Sequence, residues 1–361
     1  MLERFFYLIR LSIGTEEIRP GMMAALSAQD WLSLWILAKR QAMAGIFFGG
    51  IEKLPAEERP PREVLMPWIA VAERVRAANR FLNRRAAEVS ARLRADGWRH
   101  CILKGQGVAT FYPEPLLRQP GDIDVWMMGA RRDVLRYLED RYGRMALCYL
   151  HADAHGKGAE AVEYHFTPSF ATSPFRNRRL QQWFAAQADA QAGHYVDLPE
   201  GAGEIPVPTQ AFNEIYMLHH IYRHLFSEGV GLRQVCDYAV LLIRREDTEG
   251  TSAMLRRLGL EDFARGLAWI LMSCFHLPES KLYCTPDGRQ GRFIFNEIMR
   301  SGNFGQYDAR FNPLPQGAGK LRRACHKARR NFSFVRSYPG EVVWSLPFMA
   351  WETLCYKLPR R

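Results

Sequence analysis

The chain has 361 residues, of which 48% are hydrophobic and 24% charged, a composition ordinary for a soluble globular protein with two or three structural units. No uninterrupted apolar run of about eighteen residues occurs, so no membrane-spanning helix is predicted. The seven cysteines are scattered without a CxxC pair. This spacing predicts reduced thiols and a cytoplasmic location, and it argues against a disulfide scaffold or a thiolate metal site.

The formal net charge is +11, and it is concentrated near the C-terminus. Residues 311–361 hold ten Lys or Arg against two Glu. A basic surface attracts the phosphates of nucleotides, RNA or membrane lipids. A solvated charged face that keeps the protein soluble explains the same charge equally well.

The N-terminal part of the chain is predicted to be helical. Its apolar start is interrupted by Glu3 and Arg10 and predicts a docked helix rather than a signal peptide. Asp30 is predicted to cap a helix that runs through WLSLWILAKRQAMAGIFF. A long helix is predicted from about Glu63, because apolar residues recur three, four or seven positions apart until Gly97 ends the pattern.

The middle of the chain alternates between strand and helix patterns. Strands are predicted at 98–103, 123–127 and 162–166, a short extended piece at 205–207, and helices at 106–112 and 132–142. From about residue 210 the pattern returns to helix, through AFNEIYMLHHIYRHLF and VCDYAVLLIRR. The sequence therefore predicts an α+β protein with three parts: an N-terminal helical region at 1–96, a core at 97–210 and a C-terminal helical region at 211–361 with a basic tail.

Two carboxylates lie two residues apart in the stretch CILKGQGVATFYPEPLLRQPGDIDVWMM. Residues two apart in a strand share a face, so Asp122 and Asp124 are predicted to project together while Ile123 and Val125 enter the core. Two acids this close repel unless a cation lies between them, and Mg²⁺ binds through one or two carboxylates plus substrate phosphates. The pair therefore predicts a platform for a metal-bound nucleotide.

The alternative is a pair of acids at a strand edge, solvated or salt-bridged to Arg118. The neighbouring residues favour the metal platform. Gly121 leaves space where a phosphate would approach, and Lys104-Gly105 forms a strand-turn-helix junction whose amides could hold an anion.

Glu163 is predicted to supply a third acid. It lies in the middle of an otherwise apolar strand, on the same face as His165. A carboxylate in this position needs a partner, and a shared metal would supply one. Two metal ions can activate an attacking hydroxyl and stabilise the leaving oxygen of a phosphoryl displacement.

The run LKGQGVATFYPEPLLRQPGDIDVWM resembles the signature of the nucleotidyltransferase-like bacterial proteins of the polymerase β superfamily. The resemblance extends from about residue 28 to 245. Further matches follow in the family's order: the glutamate-x-histidine strand at Glu163 and His165, the histidine pair at His220 and His224, and the leucine-arginine helix at Leu232, Arg233 and Asp237.

This resemblance implies a mixed-sheet, polymerase β-like nucleotidyltransferase core and a catalytic metal site at Asp122, Asp124 and Glu163. It implies two Mg²⁺ ions in the active state, with Mn²⁺ as a substitute, and a nucleoside triphosphate substrate for which ATP is expected. The predicted nucleotide contacts are Lys104, Gly105, Gln106, Arg118, Gly121, His220, His224, Arg233 and Asp237. Where the superfamily carries glycine-serine or glycine-glycine, this chain has Gly105-Gln106, so Lys104 becomes a candidate phosphate contact.

Three functions remain open from the sequence. The first is an enzyme that moves a nucleoside monophosphate from a nucleoside triphosphate to a hydroxyl of a peptide or protein, a small metabolite or an RNA end. The second is a catalytically inactive nucleotide- or nucleic-acid-binding protein on the same fold. The third is a protein whose basic tail docks a partner while the acids are structural. The oligomeric state is not predicted.

Two further patterns have a structural and a functional interpretation. His220 and His224 are four residues apart on one helix face, which suits a zinc site, although lining the cleft or a plain structural role is favoured. Residues 320–335 predict an amphipathic helix for RNA or an anionic membrane, or simply a packed one. Its apolar stripe is Leu321, Cys325, Ala328, Phe332 and Val335, and its basic residues are Arg322, Arg323, Lys327, Arg329 and Arg330. Residues 342–358 predict a packed final helix, with an interface or a loose membrane contact as the alternative.

Overall fold

A five-stranded mixed sheet lies at the centre of the fold, between two groups of helices. The computed structural model describes residues 1–143, 145–154, 162–246, 250–310 and 320–357. The strands are β1 (His100–Leu103), β2 (Ile123–Met127), β3 (Met145–Leu147), β4 (His151–Ala154), β5 (Val162–His165), β6 (Tyr195–Asp197) and β7 (Glu204–Pro206). The helices are α1 (Leu2–Ile13), α2 (Ala28–Arg40), α3 (Ala44–Lys53), α4 (Arg62–Ala95), α5 (Gly105–Ala109), α6 (Arg131–Tyr142), α7 (Pro174–Ala192), α8 (Gln210–Ser227), α9 (Leu232–Ile243), α10 (Thr251–Leu258), α11 (Glu261–Phe275), α12 (Gly288–Ser301), α13 (Lys320–Phe332) and α14 (Pro339–Glu352).

The sheet has the strand order β1-β2-β5-β4-β3. β2 and β5 are parallel, and the other neighbouring strands are antiparallel. β6 and β7 form a separate antiparallel pair. The mixed sheet with helices before and after it confirms the predicted α+β class. The division into three regions stays a prediction, because buried residues of the N-terminal and C-terminal helices belong to one hydrophobic cluster.

The N-terminal helices differ from the prediction at two points. The prediction that Asp30 caps α2 is wrong: Ser27 is the N-cap, and its backbone N–H donates to the Asp30 carboxylate, which forms the other half of a capping box. The predicted single helix is interrupted at Ala42, whose φ of 54° ends α2 before α3 begins. Gly45 then lets α3 approach the loop before β2, because a Cβ there would lie 2.1 Å from the carbonyl oxygen of Leu117.

Three strands, β3, β4 and β6, and the helix α7 were not predicted. β3 and β4 are only 3 and 4 residues long, which is too short for an alternating pattern to stand out. α7 is rich in Arg and Gln and has little amphipathic character, so its pattern does not stand out as a helix. The predicted strands at 98–103, 123–127 and 162–166 correspond to β1, β2 and β5.

The predicted basic helix forms as α13, but its predicted apolar stripe does not face the core. Phe332 and Val335 are exposed, whereas Arg330 is buried and donates from Nη2 to the carbonyl oxygen of Leu225. The rest of the fold therefore determines which face of this helix is covered. The side chains of Leu321, Arg323 and Lys327, also assigned by the prediction, lie outside the described residues.

The last described helix, α14, packs on one side only. Val342 is buried and Phe348 contacts Tyr149 edge to face, while Val343 and Leu346 are exposed. Of the predicted final helix at 342–358, the end beyond residue 357 lies outside the described residues. Within the described ranges, no helix combines the length and the apolar character needed to span a membrane.

Candidate active site

The three predicted acids lie on two neighbouring strands. Asp122 immediately precedes β2, Asp124 is the second residue of β2, and Glu163 is the second residue of β5. Because β2 and β5 are parallel, Asp124 lies directly opposite Glu163. Ile123 and Val125, which alternate with the aspartates, are buried in the core. The strand pairing therefore brings the three carboxylates to one site.

The acids line a cavity of about 810 Å³, a volume within the usual range of small-molecule sites. Its wall is built from the sheet, the loop before β2 and helices α8 and α9. Every predicted metal and nucleotide contact lines this cavity except Gln106. The sequence motifs, which span more than a hundred residues, thus converge on one site.

Lys104 neutralises Asp124 from the turn that follows β1. Its Nζ lies 2.9 Å from Asp124 Oδ1. Burial alone would raise the pKa of Asp124, but the Lys104 ammonium and the His165 imidazole outweigh it and hold the pKa well below its ordinary value. The Lys104 backbone has a φ of 52°, a left-handed conformation that strains a residue with a side chain. Such strain is typical of residues that a functional site holds in place.

Glu163 lies between two imidazoles. Its Oε2 is 3.3 Å from Nε2 of His165 and 3.3 Å from Nδ1 of His151, a residue of β4. Nε2 of His165 is also 2.9 Å from Asp124 Oδ1. Burial would lower the pKa of His165, but the two carboxylates raise it above its ordinary value. Burial would raise the pKa of Glu163, but the hydrogen bond from His165 lowers it.

Asp122 is exposed, and of the three acids it is the one whose pKa is raised. Its carboxylate makes no hydrogen bond or ion pair with another described residue. Burial raises the pKa of Asp122, and so does repulsion from Glu163 and Asp124. A carboxylate held beside two others is stabilised most by a cation, and oxygen ligands suit Mg²⁺. The oxygen chemistry of the three acids suits a hard divalent cation, although among the described residues their ligand atoms do not all lie within 4.8 Å of one another.

Two arginines of the cavity have no carboxylate within ion-pair distance among the described residues. Nη1 of Arg233 donates to the carbonyl oxygens of Gln119 and Pro120, at 3.4 and 3.1 Å. Nη2 of Arg223 lies 3.1 Å from Nε2 of His224. Burial and a neighbouring guanidinium lower the pKa of Arg233. Half-buried guanidinium groups without an acid are suited to phosphate oxygens.

Arg118 is held by Asp237 instead of facing the cavity as a free charge. Its Nε and Nη2 lie 2.7 and 2.8 Å from the two Asp237 oxygens, and the Tyr112 hydroxyl donates to Oδ1 at 2.8 Å. Asn79 of α4 donates to the Arg118 carbonyl oxygen at 2.7 Å. These contacts tie the loop that leads to Asp122 to α9 on one side and to α4 on the other.

Gln106, predicted at the phosphate turn, is turned away from the cavity. Its Nε2 donates to Oδ1 of Asn83 and, at 3.4 Å, to Oδ1 of Asn79. The side chain is therefore engaged with α4, and its predicted contact with the nucleotide does not fit this arrangement. Gly105 remains part of the cavity wall.

His220 and His224 form a buried pair on α8, with ring centroids 4.3 Å apart. Burial lowers the pKa of both, that of His224 to about 4, so both rings are neutral at pH 7. Among the described residues, neither belongs to a group of three side chains at metal-ligand distance. The pair lines the cavity as neutral polar groups.

His151 and Arg223 are among the cavity residues that were not predicted. His151 lies on the unpredicted strand β4, where His151 and Asp153 share a face in the same way as Glu163 and His165. The two-residue spacing of His151 and Asp153 was the one signal in the sequence that could have identified His151. Arg223 immediately precedes His224 on α8 and lies three residues after His220. It therefore shares the helix face of the histidine pair, and that spacing could have identified it.

The family described as "Uncharacterised nucleotidyltransferase" matches residues 27–276. None of the curated proteins compared with the chain matches it. The crystal structure of an antigenic nucleotidyltransferase-like protein from Paracoccidioides brasiliensis is similar over 57% of this chain and 94% of that chain, with 12% sequence identity and a TM-score of 0.36. A likeness at this TM-score carries no argument about the site.

Proposed function

The chain belongs to this family of uncharacterised nucleotidyltransferases, and on that premise we propose that it transfers a nucleoside monophosphate from a nucleoside triphosphate to an acceptor hydroxyl. In the proposed reaction the acceptor oxygen forms a bond to the α-phosphorus. The bond from that phosphorus to the bridging oxygen breaks, pyrophosphate leaves, and the hydroxyl proton is released. ATP is the expected nucleotide.

The observation that carries this proposal is the charge arrangement of the cavity. The same cavity is lined by three carboxylates, from Asp122, Asp124 and Glu163, and by two arginines, Arg223 and Arg233, that have no acidic partner among the described residues. A metal-bound triphosphate needs both kinds of group, because the cation takes carboxylate ligands and the remaining phosphate charge takes guanidinium donors.

The residues of the chain have distinct tasks in this proposal. Arg223 and Arg233 bind and orient the phosphates. Lys104 holds the Asp124 carboxylate in its ionised form and is close enough to the acids to share a phosphate contact. Asp122, Asp124 and Glu163 would hold Mg²⁺ or, in its place, Mn²⁺, with two ions in the active state. When bound, the cation lowers the pKa of the acceptor hydroxyl and offsets charge on the leaving pyrophosphate.

Pyrophosphate release tests the proposal. The protein is incubated with each of four nucleoside triphosphates, Mg²⁺ and a cell-extract pool of acceptors, and mass spectrometry of the pool identifies the modified acceptor. A peptide or protein, a small metabolite or an RNA end would each appear as a mass increase of one nucleoside monophosphate. Absence of pyrophosphate with every nucleotide and acceptor pool contradicts the proposal.

Glu163→Gln separates transfer from binding. The variant is expected to keep Mg-nucleotide affinity within a few fold, because Asp122 and Asp124 remain, while pyrophosphate release falls at least about a hundredfold. Glu200→Gln is the control, since Glu200 pairs with Arg80 on the surface away from the cavity. If Glu163→Gln lowers only the melting temperature and leaves turnover unchanged, Glu163 is a structural residue.

A catalytically inactive nucleotide- or nucleic-acid-binding protein is the second candidate. It is favoured by one observation: Lys104 and His165 already neutralise Asp124 without any cation. The orientation of the Gln106 side chain towards Asn83, away from the cavity, also favours this candidate. Nucleotide binding that is independent of Mg²⁺, together with no pyrophosphate release, would support this candidate.

A further inference from the structure

His151, Glu163 and His165 form a compact cluster on the wall of the cavity. They lie on the antiparallel strands β4 and β5, where His151 is directly opposite His165. One ring nitrogen of each histidine and one carboxylate oxygen of Glu163 all lie within 4.8 Å of one another. Three ligating atoms from adjacent strands can therefore converge on a single ion.

The distances within the cluster agree with atoms that share a cation. Ligand atoms bound at about 2.0–2.2 Å to one tetrahedral ion are about 3.3–3.6 Å apart. Nδ1 of His151 and Nε2 of His165 are each 3.3 Å from Oε2 of Glu163. Nδ1 of His151 is buried and has no hydrogen-bond partner despite this approach. Its position beside Glu163 is thus not explained by a hydrogen bond.

The second nitrogen of His151 faces another carboxylate. Its Nε2 lies 3.3 Å from Oδ1 of Asp153. Metal-bound imidazoles usually donate their other ring N–H to a carboxylate or carbonyl oxygen, which fixes the ring orientation. Asp153 lies opposite Glu163 in the strand register, so the pairing of β4 with β5 builds both the ligands and this outer contact.

The ligand atoms determine which class of ion this cluster would select. Mg²⁺ prefers oxygen ligands, whereas imidazole nitrogens favour zinc and neighbouring transition metals. Two histidines and one glutamate are a ligand set of zinc sites that keep a fourth position open for water or substrate. Oδ1 of Asp124 lies 2.9 Å from Nε2 of His165, but Asp124 is not within metal-ligand distance of all three members of the cluster.

We propose that His151, Glu163 and His165 bind one transition-metal dication, with Zn²⁺ as the preferred ion, beside the Asp122–Asp124 pair. The cavity would then offer two kinds of cation position: an oxygen-rich one for Mg²⁺ at the aspartates and a nitrogen-rich one at the histidines. This inference refines the proposed function, because Glu163 is common to both. Its test needs no nucleotide and no turnover, so the two proposals can fail separately.

The experiment measures metal bound to tag-free protein after stripping with a chelator. The protein is equilibrated with Zn²⁺ in buffer that contains millimolar Mg²⁺, passed through a desalting column and analysed by elemental mass spectrometry. We expect one Zn²⁺ per chain. Titration with Co²⁺ then reports, through its visible absorption, whether the ion has the low-symmetry coordination of a histidine–carboxylate site.

Two variants and a matched control identify the ligands. His151→Asn is expected to weaken Zn²⁺ binding at least about a hundredfold, and Asp153→Asn about tenfold, because the loss of an outer partner has the smaller effect. His276→Asn is the control: His276 also lies beside a glutamate, with its Nδ1 3.1 Å from Glu16, but is remote from the cavity. Circular dichroism verifies that each variant is folded, and Glu163→Gln replaces His151→Asn if that variant is not.

Three results would overturn the inference. One is wild-type protein that keeps no Zn²⁺ in the presence of Mg²⁺. Another is a His151→Asn variant that binds Zn²⁺ as tightly as His276→Asn. The third is Zn²⁺ binding that depends on Asp122 and not on His151, which would place the ion at the aspartate pair.

Discussion

Replacing Asp237 by Asn is expected to destabilise the fold strongly, because it would leave a buried charge without a partner. The Asp237 carboxylate accepts two hydrogen bonds from Arg118, at 2.7 and 2.8 Å, and one from Tyr112 at 2.8 Å. The side chains of Arg118 and Asp237 are only 5% and 6% exposed. Asn at position 237 keeps the size of the side chain but cannot neutralise the guanidinium.

Removing one partner of a buried ion pair costs about 3–5 kcal/mol in the free energy of unfolding. A typical domain has about 5–15 kcal/mol in total, so the loss is a large part of the stability. The double variant Arg118→Met/Asp237→Leu removes both charges. It should be more stable than Asp237→Asn, because the remaining penalty is mainly the lost acceptor of Tyr112, about 1–3 kcal/mol.

Urea unfolding followed by tryptophan fluorescence measures these differences. The control is Glu200→Gln, since Glu200 makes a two-oxygen contact with Arg80 on the surface and its loss should leave the unfolding midpoint nearly unchanged. An Asp237→Asn midpoint equal to that of the control would refute the buried-charge reasoning. A double variant less stable than Asp237→Asn would show that shape, and not charge, determines the cost.

Four other substitutions test separate features of the cavity and its surroundings. Asp122→Asn and Asp124→Asn are each expected to weaken binding of a non-hydrolysable nucleoside triphosphate, because these carboxylates would hold the cation. Calorimetry with and without Mg²⁺ measures the affinity, and equal affinities of the protein for the nucleotide in the two conditions would contradict the prediction. Arg223→Met is expected to raise the dissociation constant for the same nucleotide at least about tenfold, the effect of one lost charged hydrogen bond, while affinity for adenosine should not change. Burial lowers the pKa of His219 to about 3. As the pH drops below about 6.5, the His219 imidazole is protonated in the unfolded chain but stays neutral in the folded one. The free energy of unfolding therefore falls as the pH drops from about 6.5 towards 3. His219→Gln should make that fall shallower by about 1.4 kcal/mol per pH unit in urea unfolding, and an unchanged slope would show that the ring is not held neutral.

The parts of the fold that the sequence predicts are those whose pattern is local. β2 alternates acids with buried Ile123 and Val125, and α4 repeats apolar residues over 34 residues, so each pattern identifies its own element. The position of Glu163 follows in the same way from a single charged residue in an apolar strand. These local signals were sufficient to identify the three acids.

The remaining parts depend on contacts that no local pattern contains. Contacts with other elements determine which face of α13 is covered. Arg330 is buried because the Leu225 carbonyl oxygen and the Asp308 carboxylate lie beside it, whereas Phe332 is exposed. The sequence does not reveal that Lys104 pairs with Asp124, because the two residues meet only when β1 pairs with β2. His151 joins the site only because β4 pairs with β5 in one particular register.

The loop before β2 shows that the predicted core at 97–210 is held by contacts from both flanking helical regions. That segment contains all three acids, but the loop that positions Asp122 is fixed from outside it. Asn79 binds the loop from the N-terminal helices, and Asp237 and Arg233 bind it from the C-terminal helices.

Two arginines of the cavity also come from outside the core segment. Arg223 and Arg233 both lie on C-terminal helices, so the core segment alone would keep the three carboxylates and lose these two arginines. The cavity exists because helices from both ends of the chain close around the sheet, and the unit of function is therefore larger than the segment that carries the motif.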